Sequence, residues 1–301
     1  MRFSIFQESR KGTRKSNQDR AGYCYTRESL LMVVADGMGG HLHGEVASHM
    51  ALHFLTESFQ REAKPKLADP DAFLQKTITD THLALGEYAV SRNLVESPRT
   101  TCVACVVQDS SAYWAHVGDS RLYHIRGGRV EGRTRDHSRV QLLVDQGRIR
   151  EEAVAAHPDR NKIFNCIGAS VPPQVDLSGP VPLRTRDTLV LCSDGFWGAL
   201  TTPLITAALL KNEILKAMPE LLSVAELRAG PDCDNLSVVA MTWAEKRPGA
   251  GPGEISTLEL DGASTKLEDF RDADHGDLSD EEIEQAIKEI RAAIRKHTQM
   301  P

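Results

Sequence analysis

Apolar residues along this chain fall into two rhythms. Short apolar or β-favouring runs at 23–26, 30–35, 100–108, 112–117, 121–125 and 129–134 read as strands bounded by polar or turn residues. Gly127-Gly128, between the last two, predicts a tight hairpin turn. Runs at 188–193 and 236–243 resume the β pattern. The second rhythm is helical. From Gly44, the residues Val46, Ala47, Met50, Ala51, Phe54, Leu55 and Phe59 form an i, i+4, i+7 stripe. Asp69-Pro70 opens another helix, with an N-cap acid followed by proline at the first helical position, and Leu74, Ile78, Leu85 and Ala89 form its stripe. Further helical stretches are expected from Pro203 and from Pro219, while 138–170 reads as short helices and loop. Strands in runs and helices in runs predict α+β layers, not an alternating parallel sheet.

The pattern changes near residue 246. Arg247-Pro248-Gly249-Ala250-Gly251-Pro252-Gly253 has the composition of a linker. Residues 1–245 carry 28 basic and 29 acidic groups, and the remainder carries 8 against 13. The expected organisation is therefore a main domain over 1–245, a flexible linker over 246–278 and an amphipathic helix over 279–298. That helix has a capping box from Ser279 to Glu282, a hydrophobic staple from Leu278 to Ile283, and a stripe of Ile283, Ile287, Ile290 and Ile294. Two heptads are too short to stand alone, so the stripe is expected to dock on a partner or on the domain.

Composition removes several classes of function. Of 301 residues, 41% are hydrophobic and 26% charged, as in ordinary globular chains. No apolar run approaches the roughly 18 residues of a membrane span, and charge arrives too early in the chain for a signal peptide. Six cysteines in this length are expected to be reduced. The net charge of −6 speaks against binding nucleic acid through an overall positive field. The expected location is the cytoplasm, with neither membrane nor nucleic acid as partner.

One arrangement repeats. The run at 30–35 ends in Asp36-Gly37, the run at 188–193 in Asp194-Gly195, and the run at 112–117 leads through Gly118 into Asp119, while Asp234-Asn235 opens the run at 236–243. Any single Asp-Gly pair is an ordinary turn. Four acids at the ends of four strands are a candidate cluster, and converging carboxylates need a cation. Hard oxygen ligands favour Mg²⁺ or Mn²⁺ over Zn²⁺. Cys102-Val103-Ala104-Cys105 lies in a strand, where positions i and i+3 face opposite sides, and is expected to pack.

Six motifs then stand in order: Arg14-Lys15-Ser16-Asn17-Gln18-Asp19; Asp36-Gly37-Met38-Gly39-Gly40-His41 with Gly44-Glu45; Val117-Gly118-Asp119-Ser120-Arg121; Asp136-His137-Ser138; Ser193-Asp194-Gly195; and Asp234-Asn235. Together they resemble the bacterial branch of the metal-dependent PP2C-type (PPM) Ser/Thr protein phosphatases, over about residues 3–243. The resemblance implies an α-β-β-α sandwich of two antiparallel sheets flanked by helices. It implies two Mn²⁺ or Mg²⁺ ions held by Asp36, the Gly37 carbonyl, Asp194 and Asp234, with Asp19 acting through metal-bound water and Asp119 holding a third, weaker ion. Arg14 would clamp the substrate phosphate.

The implied reaction is hydrolysis of phosphoserine and phosphothreonine on proteins by direct attack of a metal-bridging hydroxide, opposing a Ser/Thr protein kinase. The rival is a catalytically silent module of the same fold that binds phosphoproteins. Three positions depart from the family pattern or leave a choice. Met38 replaces the histidine found after Asp-Gly in metazoan-type members, so the leaving-group proton comes from metal-bound water or another residue, with His41 and His43 nearby. Arg99 stands where many relatives have glycine. Asp232 and Asp234 compete for one ligand position, and Asp234, next to Asn235, is chosen. Residues 144–170 match the family's variable flap, and Trp197 is expected in the core.

Overall fold

The strand segments at 30–35, 102–107, 188–192 and 236–241 are buried on both faces, which is why their sequences are largely continuous apolar runs and not alternations. The computed structural model describes residues 1–38, 43–154, 156–244, 254–257 and 263–267. The helix expected over 279–298 lies outside the described residues.

The order of elements is β1 (Arg2–Arg10), β2 (Asp19–Tyr25), β3 (Ser29–Asp36), α1 (Gly44–Glu62), α2 (Pro70–Ser91), β4 (Cys102–Gln108), β5 (Ser111–Val117), β6 (Arg121–Arg126), β7 (Arg129–Arg133) and α3 (Arg139–Asp145), then β8 (Asp176–Leu177), β9 (Val181–Pro182), β10 (Thr188–Cys192), α4 (Asp194–Ala199), α5 (Thr202–Lys211), α6 (Ile214–Ala229), β11 (Leu236–Ala244), β12 (Glu254–Ser256) and β13 (Ser264–Leu267). One sheet runs β12-β1-β11-β10-β6-β7 and the other β13-β2-β3-β4-β5-β8, with β9 also on β5. Every pairing between these strands is antiparallel.

Alternate residues of the same strand enter different cores. Cys102, Ala104 and Val106 of β4 pack with Val46, Met50, Phe54 and Leu55 of α1 and Leu74, Ile78 and Leu85 of α2. Val103, Cys105 and Val107 face the opposite sheet, meeting the layer of Leu189, Leu191, Val239 and Met241. Val190, Cys192, Val238 and Ala240 turn outward to Phe196, Ile205, Met218 and Leu222 of α4, α5 and α6. The result is four layers, α-β-β-α, with three hydrophobic cores between them. Cys102 and Cys105 lie in separate cores, and all six cysteines are free and buried. At the β6–β7 hairpin, Gly127 and Gly128 have φ of 55° and 76°, as a two-residue turn of this hand requires.

The α2 stripe and its cap form as expected, with Asp69 Oδ1 accepting from the Ala72 N–H (3.0 Å). One strand goes unread in the sequence, and two expectations need correction. The strand β1 carries too little apolar alternation to be read from its sequence, yet it lies between β11 and β12 and pairs with β11 along all nine of its residues. The helix expected from Pro219 starts at Ile214 instead, so Pro219 lies inside it, one turn in. The stretch 246–278 is not flexible linker throughout: β12 pairs with β1 and β13 with β2, extending both sheets at the same side of the sandwich.

Those two short strands cover edges that would otherwise expose unpaired backbone groups. Between them Thr257 donates its N–H to the Met1 carbonyl (3.2 Å) and its hydroxyl to the Arg27 carbonyl (2.7 Å). Thr265 is bonded to Gln60 of α1. A chain ending at 245 should therefore unfold roughly 2–8 °C below one ending at 267, the effect of about 1–2 kcal/mol in a domain of this size. Equal thermal midpoints by calorimetry would show that these strands contribute nothing.

Candidate active site

The two sheets deliver their carboxylates to one end of the sandwich. Asp19 begins β2 and Asp36 ends β3, and the antiparallel register sets them directly opposite one another. Asp194 begins α4 just after β10, Asp234 immediately precedes β11, and Asp119 sits in the turn from β5 to β6. All but Asp19 line a cavity of about 550 Å³, together with Arg14, Lys15, Ser16, Gln18, Gly37, Met38, Thr101, Asn161, Ile163 and Asn235. Asp19 lies behind it, 1% exposed. The structure thus brings together all seven residues singled out from the sequence: Arg14, Asp19, Asp36, Gly37, Asp119, Asp194 and Asp234. Asp232 is exposed and outside the lining, which leaves Asp234 as the acid in the cavity.

Hydrogen bonds to groups that sequence reasoning passed over hold the acids in place. The Ser193 hydroxyl donates to Asp19 Oδ2 (2.6 Å) and accepts from the Ser237 N–H (3.0 Å), tying β10 and β11 to β2. Thr101 Oγ1 accepts from the Asp36 N–H (3.2 Å), and the Thr100 hydroxyl donates to the Asp36 carbonyl (2.9 Å). Asn235 Oδ1 accepts from the Gln18 N–H (2.9 Å), while its Nδ2 donates to the Lys11 and Ser16 carbonyls (2.8 and 3.1 Å), anchoring the loop that carries Arg14. Gln18 Nε2 in turn donates to Glu45 Oε2 (3.0 Å). The available signal was adjacency, because Ser193, Asn235 and Gln18 each neighbour a site acid.

Two glycines matter here for space. A Cβ on Gly37 would lie 2.3 Å from the Gly44 carbonyl oxygen, so only glycine lets the β3 end pass the start of α1. Gly118 has φ +102°, and a Cβ there would come within 2.6 Å of Thr101 Cγ2. Arg99, by contrast, is not at positive φ, and its carbonyl accepts the Met38 N–H (3.0 Å), so the backbone here accommodates a side chain. Trp197 is buried as expected, but it also works for the site: its Nε1 donates to the Asp119 carbonyl (2.9 Å), and the Arg121 guanidinium stacks on its ring at 3.5 Å. His43 has φ 66°, makes no side-chain cap and is not part of the lining; His41 lies outside the described residues.

The electrostatics of the cluster are adverse to its own charge. Removal from water and the neighbouring acids push Asp19 up to about 7 and Asp194 up to about 6. Removal from water, then repulsion from Asp19, Asp194, Asp119 and Asp234, raises Asp36 well above the usual carboxylate range. Asp119 is raised by burial and by Asp194 and Asp136. Arg14 Nη2 donates to Asp234 Oδ2 (2.6 Å), and among the described residues this is the ion pair that reaches the acids lining the cavity. Oxygen-only donors crowded until they resist ionising are the donor set that a hard divalent cation fits.

The chain belongs to the protein phosphatase 2C family, whose model matches residues 7–218. It is similar to the serine/threonine phosphatase Stp of Listeria innocua, 35% identical over 192 residues, covering 63% of this chain and 76% of that protein. Among solved structures it is similar to the Streptococcus agalactiae serine/threonine phosphatase, with a TM-score of 0.72 and 30% identity, covering 81% of this chain and all of that one. The catalytic domain of the serine/threonine phosphatase PstP, solved with two manganese ions, gives a TM-score of 0.66 at 28% identity, covering 81% of this chain and 100% of that one.

Raised carboxyl groups have a stability signature whose sign is fixed. A group with a folded-state pKa above its unfolded value stabilises the fold at low pH and loses that contribution as pH rises through the folded value. In chelator-treated protein, calorimetry should show the midpoint falling between about pH 4 and pH 7, the window from the ordinary carboxyl value to the raised values of Asp194 and Asp19. Asp36→Asn relieves the repulsion and should raise the chelated protein's midpoint at pH 8 by about 2–4 °C. A lower midpoint in that variant would mean the cluster is not held against its own charge.

Proposed function

We propose that this chain is a metal-dependent serine/threonine protein phosphatase whose Asp36, Gly37 carbonyl, Asp194 and Asp234 hold two Mn²⁺ or Mg²⁺ ions, with Asp119 taking a third. The observation that carries this reading is the meeting of separate carboxylates and Arg14 in one cavity of a phosphatase-family fold. Two divalent ions would supply an activated water and neutralise charge on the phosphoryl oxygens.

The chain's own residues do the remaining work. Arg14 lines the cavity with its side chain 55% exposed, so its planar fork can meet a phosphate from the open side. Asp19, whose Oδ2 accepts from the Ser193 hydroxyl, stands behind the floor. Thr100 and Thr101 hold the Asp36 backbone, so its carboxylate keeps one orientation as charge develops. In the step itself a bond forms from water oxygen to phosphorus, the bond from phosphorus to the serine or threonine oxygen breaks, the attacking water releases a proton to solvent, and a proton reaches the departing oxygen. Met38 lines the cavity but has no proton to give, so that proton comes from bound water or another residue.

A silent phosphoprotein-binding module is disfavoured, because the whole acid set and its supports are present. Phosphorylated proteins and a cognate Ser/Thr kinase system are the proposed partners, and six unpaired buried cysteines suit a reducing cytoplasm. Among the described residues no helix is long and apolar enough to cross a membrane. Mn²⁺-dependent release of phosphate from an aryl phosphate should disappear with EDTA and fall at least about 10²-fold in Asp36→Asn and Asp194→Asn. Undiminished activity in either variant refutes the metal site. Separately, Arg14→Ala should raise KM for phosphate esters by about tenfold, the loss of a charge-assisted pair, with Mn²⁺ binding retained. An unchanged KM removes Arg14 from the phosphate site.

A further inference from the structure

His137 does not line the cavity, yet it grips the turn that carries Asp119 from two directions. Its backbone N–H donates to the Gly118 carbonyl (2.9 Å), and its Nδ1 accepts from the Gly118 N–H (3.1 Å). Asn165 Nδ2 donates to the same Nδ1 (2.7 Å). The orientation of that amide is set by Gln174, whose carbonyl accepts from Nδ2 (2.7 Å) and whose N–H donates to Oδ1 (3.1 Å). With two N–H donors on Nδ1, the proton of the neutral ring resides on Nε2, which is buried without a hydrogen-bond partner among the described residues and lies 3.2 Å from Asp176 Oδ2, outside hydrogen-bond geometry. Asp176 is held below the usual carboxylate range: burial opposes this, but the hydrogen bond from Gln174 and the nearby His137 ring outweigh it.

This tautomer decides what the neighbouring cluster can be. His116, His137 and Asp176 offer ligand atoms within 4.8 Å of one another, an arrangement that suggests a second cation. A cation would need the Nε2 lone pair, which would move the proton to Nδ1 and set it against the Gly118 N–H. In this tautomer Nε2 has no lone pair to offer a cation, and the second histidine stacks on the His137 ring at 4.7 Å.

The turn needs such support. Gly118 is at φ +102° with no room for a side chain, and its neighbour Asp119 is buried among like charges. On the other side of His137, its carbonyl accepts from the Phe164 N–H (3.0 Å), and Ser138 pairs with Ile163, which lines the cavity. We propose that His137 is a positioning residue: oriented by Asp176 and Asn165, it clamps the Gly118 peptide so that the Asp119 carboxylate points into the cavity in register with the 161–164 segment. This rests on the reading of Asp119 as the ligand of a third cation.

The test is a titration of Mn²⁺ into full-length, chelator-stripped protein, with free Mn²⁺ followed by electron paramagnetic resonance. The wild-type chain should show two tight sites and one weak site, and Asp119→Asn should lose the weak one. His137→Leu should weaken the same site by at least about tenfold while the tight pair is unchanged, the size expected for loss of an outer-shell partner. His137→Asn, whose Oδ1 can accept the Gly118 N–H where Nδ1 did, should recover most of that affinity. Wild-type binding in His137→Leu, equal weakening of all three sites, or no advantage of Asn over Leu each overturns the positioning role. If Asp119→Asn binds as the wild type does, the third-cation reading falls, and the role of His137 falls with it.

Discussion

Mutual repulsion among carboxylates is the constraint around which this molecule is organised. Five aspartates, from positions as far apart as Asp19 and Asp234, are drawn to one end of the sandwich, where most of them resist ionising. Left to itself such a cluster would spread. The backbone cannot yield, because each acid sits at or beside the end of a strand or the start of a helix whose remaining residues are locked in a core. The energy of three hydrophobic layers is thus what holds like charges together. A divalent cation then turns the same repulsion into affinity.

Antiparallel topology explains why few residues are needed to build the site. The β2–β3 pairing places Asp19 opposite Asp36 by register alone. The β10–β11 pairing brings Cys192 opposite Val238, so that the chain leaving β10 and the chain entering β11 emerge side by side, carrying Asp194 and Asp234. Ser193, between them, reaches across to Asp19 and joins the two sheets at the point where they meet. One hydroxyl fixes the relative position of two hairpins.

How much of this was legible in the sequence depended on whether a residue's role was local. The helix stripes of α1 and α2, the Gly127-Gly128 turn and the two-sided packing of Cys102 and Cys105 follow from spacing, and spacing survives folding. The acids were visible as Asp-Gly or Asp-Asn pairs at strand ends, but their convergence was not, because it depends on pairings between residues some 200 positions apart. What stayed hidden was non-local or atypical. In β1, residues such as Gln7, Glu8 and Ser9 are only half-buried, so its strand character comes from partners on both sides and not from its own pattern. Segments β12 and β13 lie in a stretch whose Gly and Pro content reads as linker, and their order comes from the edges they cover. Pro219 misled in another way: proline usually marks a helix start, but here the helix tolerates it one turn in, where one backbone donor is lost.

The pairing of Arg14 with Asp234 links the two halves of the chemistry. A guanidinium held at 2.6 Å by a carboxylate has one of its donors committed, and Asp194 and Asp36 add to the pull on it. Any positive charge that neutralises Asp234 weakens that hold and leaves the fork freer to turn toward a phosphate. On the proposed assignment, cation loading and phosphate capture would share one carboxylate and so would be coupled. Asn235 makes the sharing precise in space, since it fixes the Arg14 loop through Lys11, Ser16 and Gln18 while standing next to Asp234 in the chain. An arginine on a mobile loop would find phosphate with or without cations. One tethered this way reports to the phosphate whether the cavity is charged for reaction.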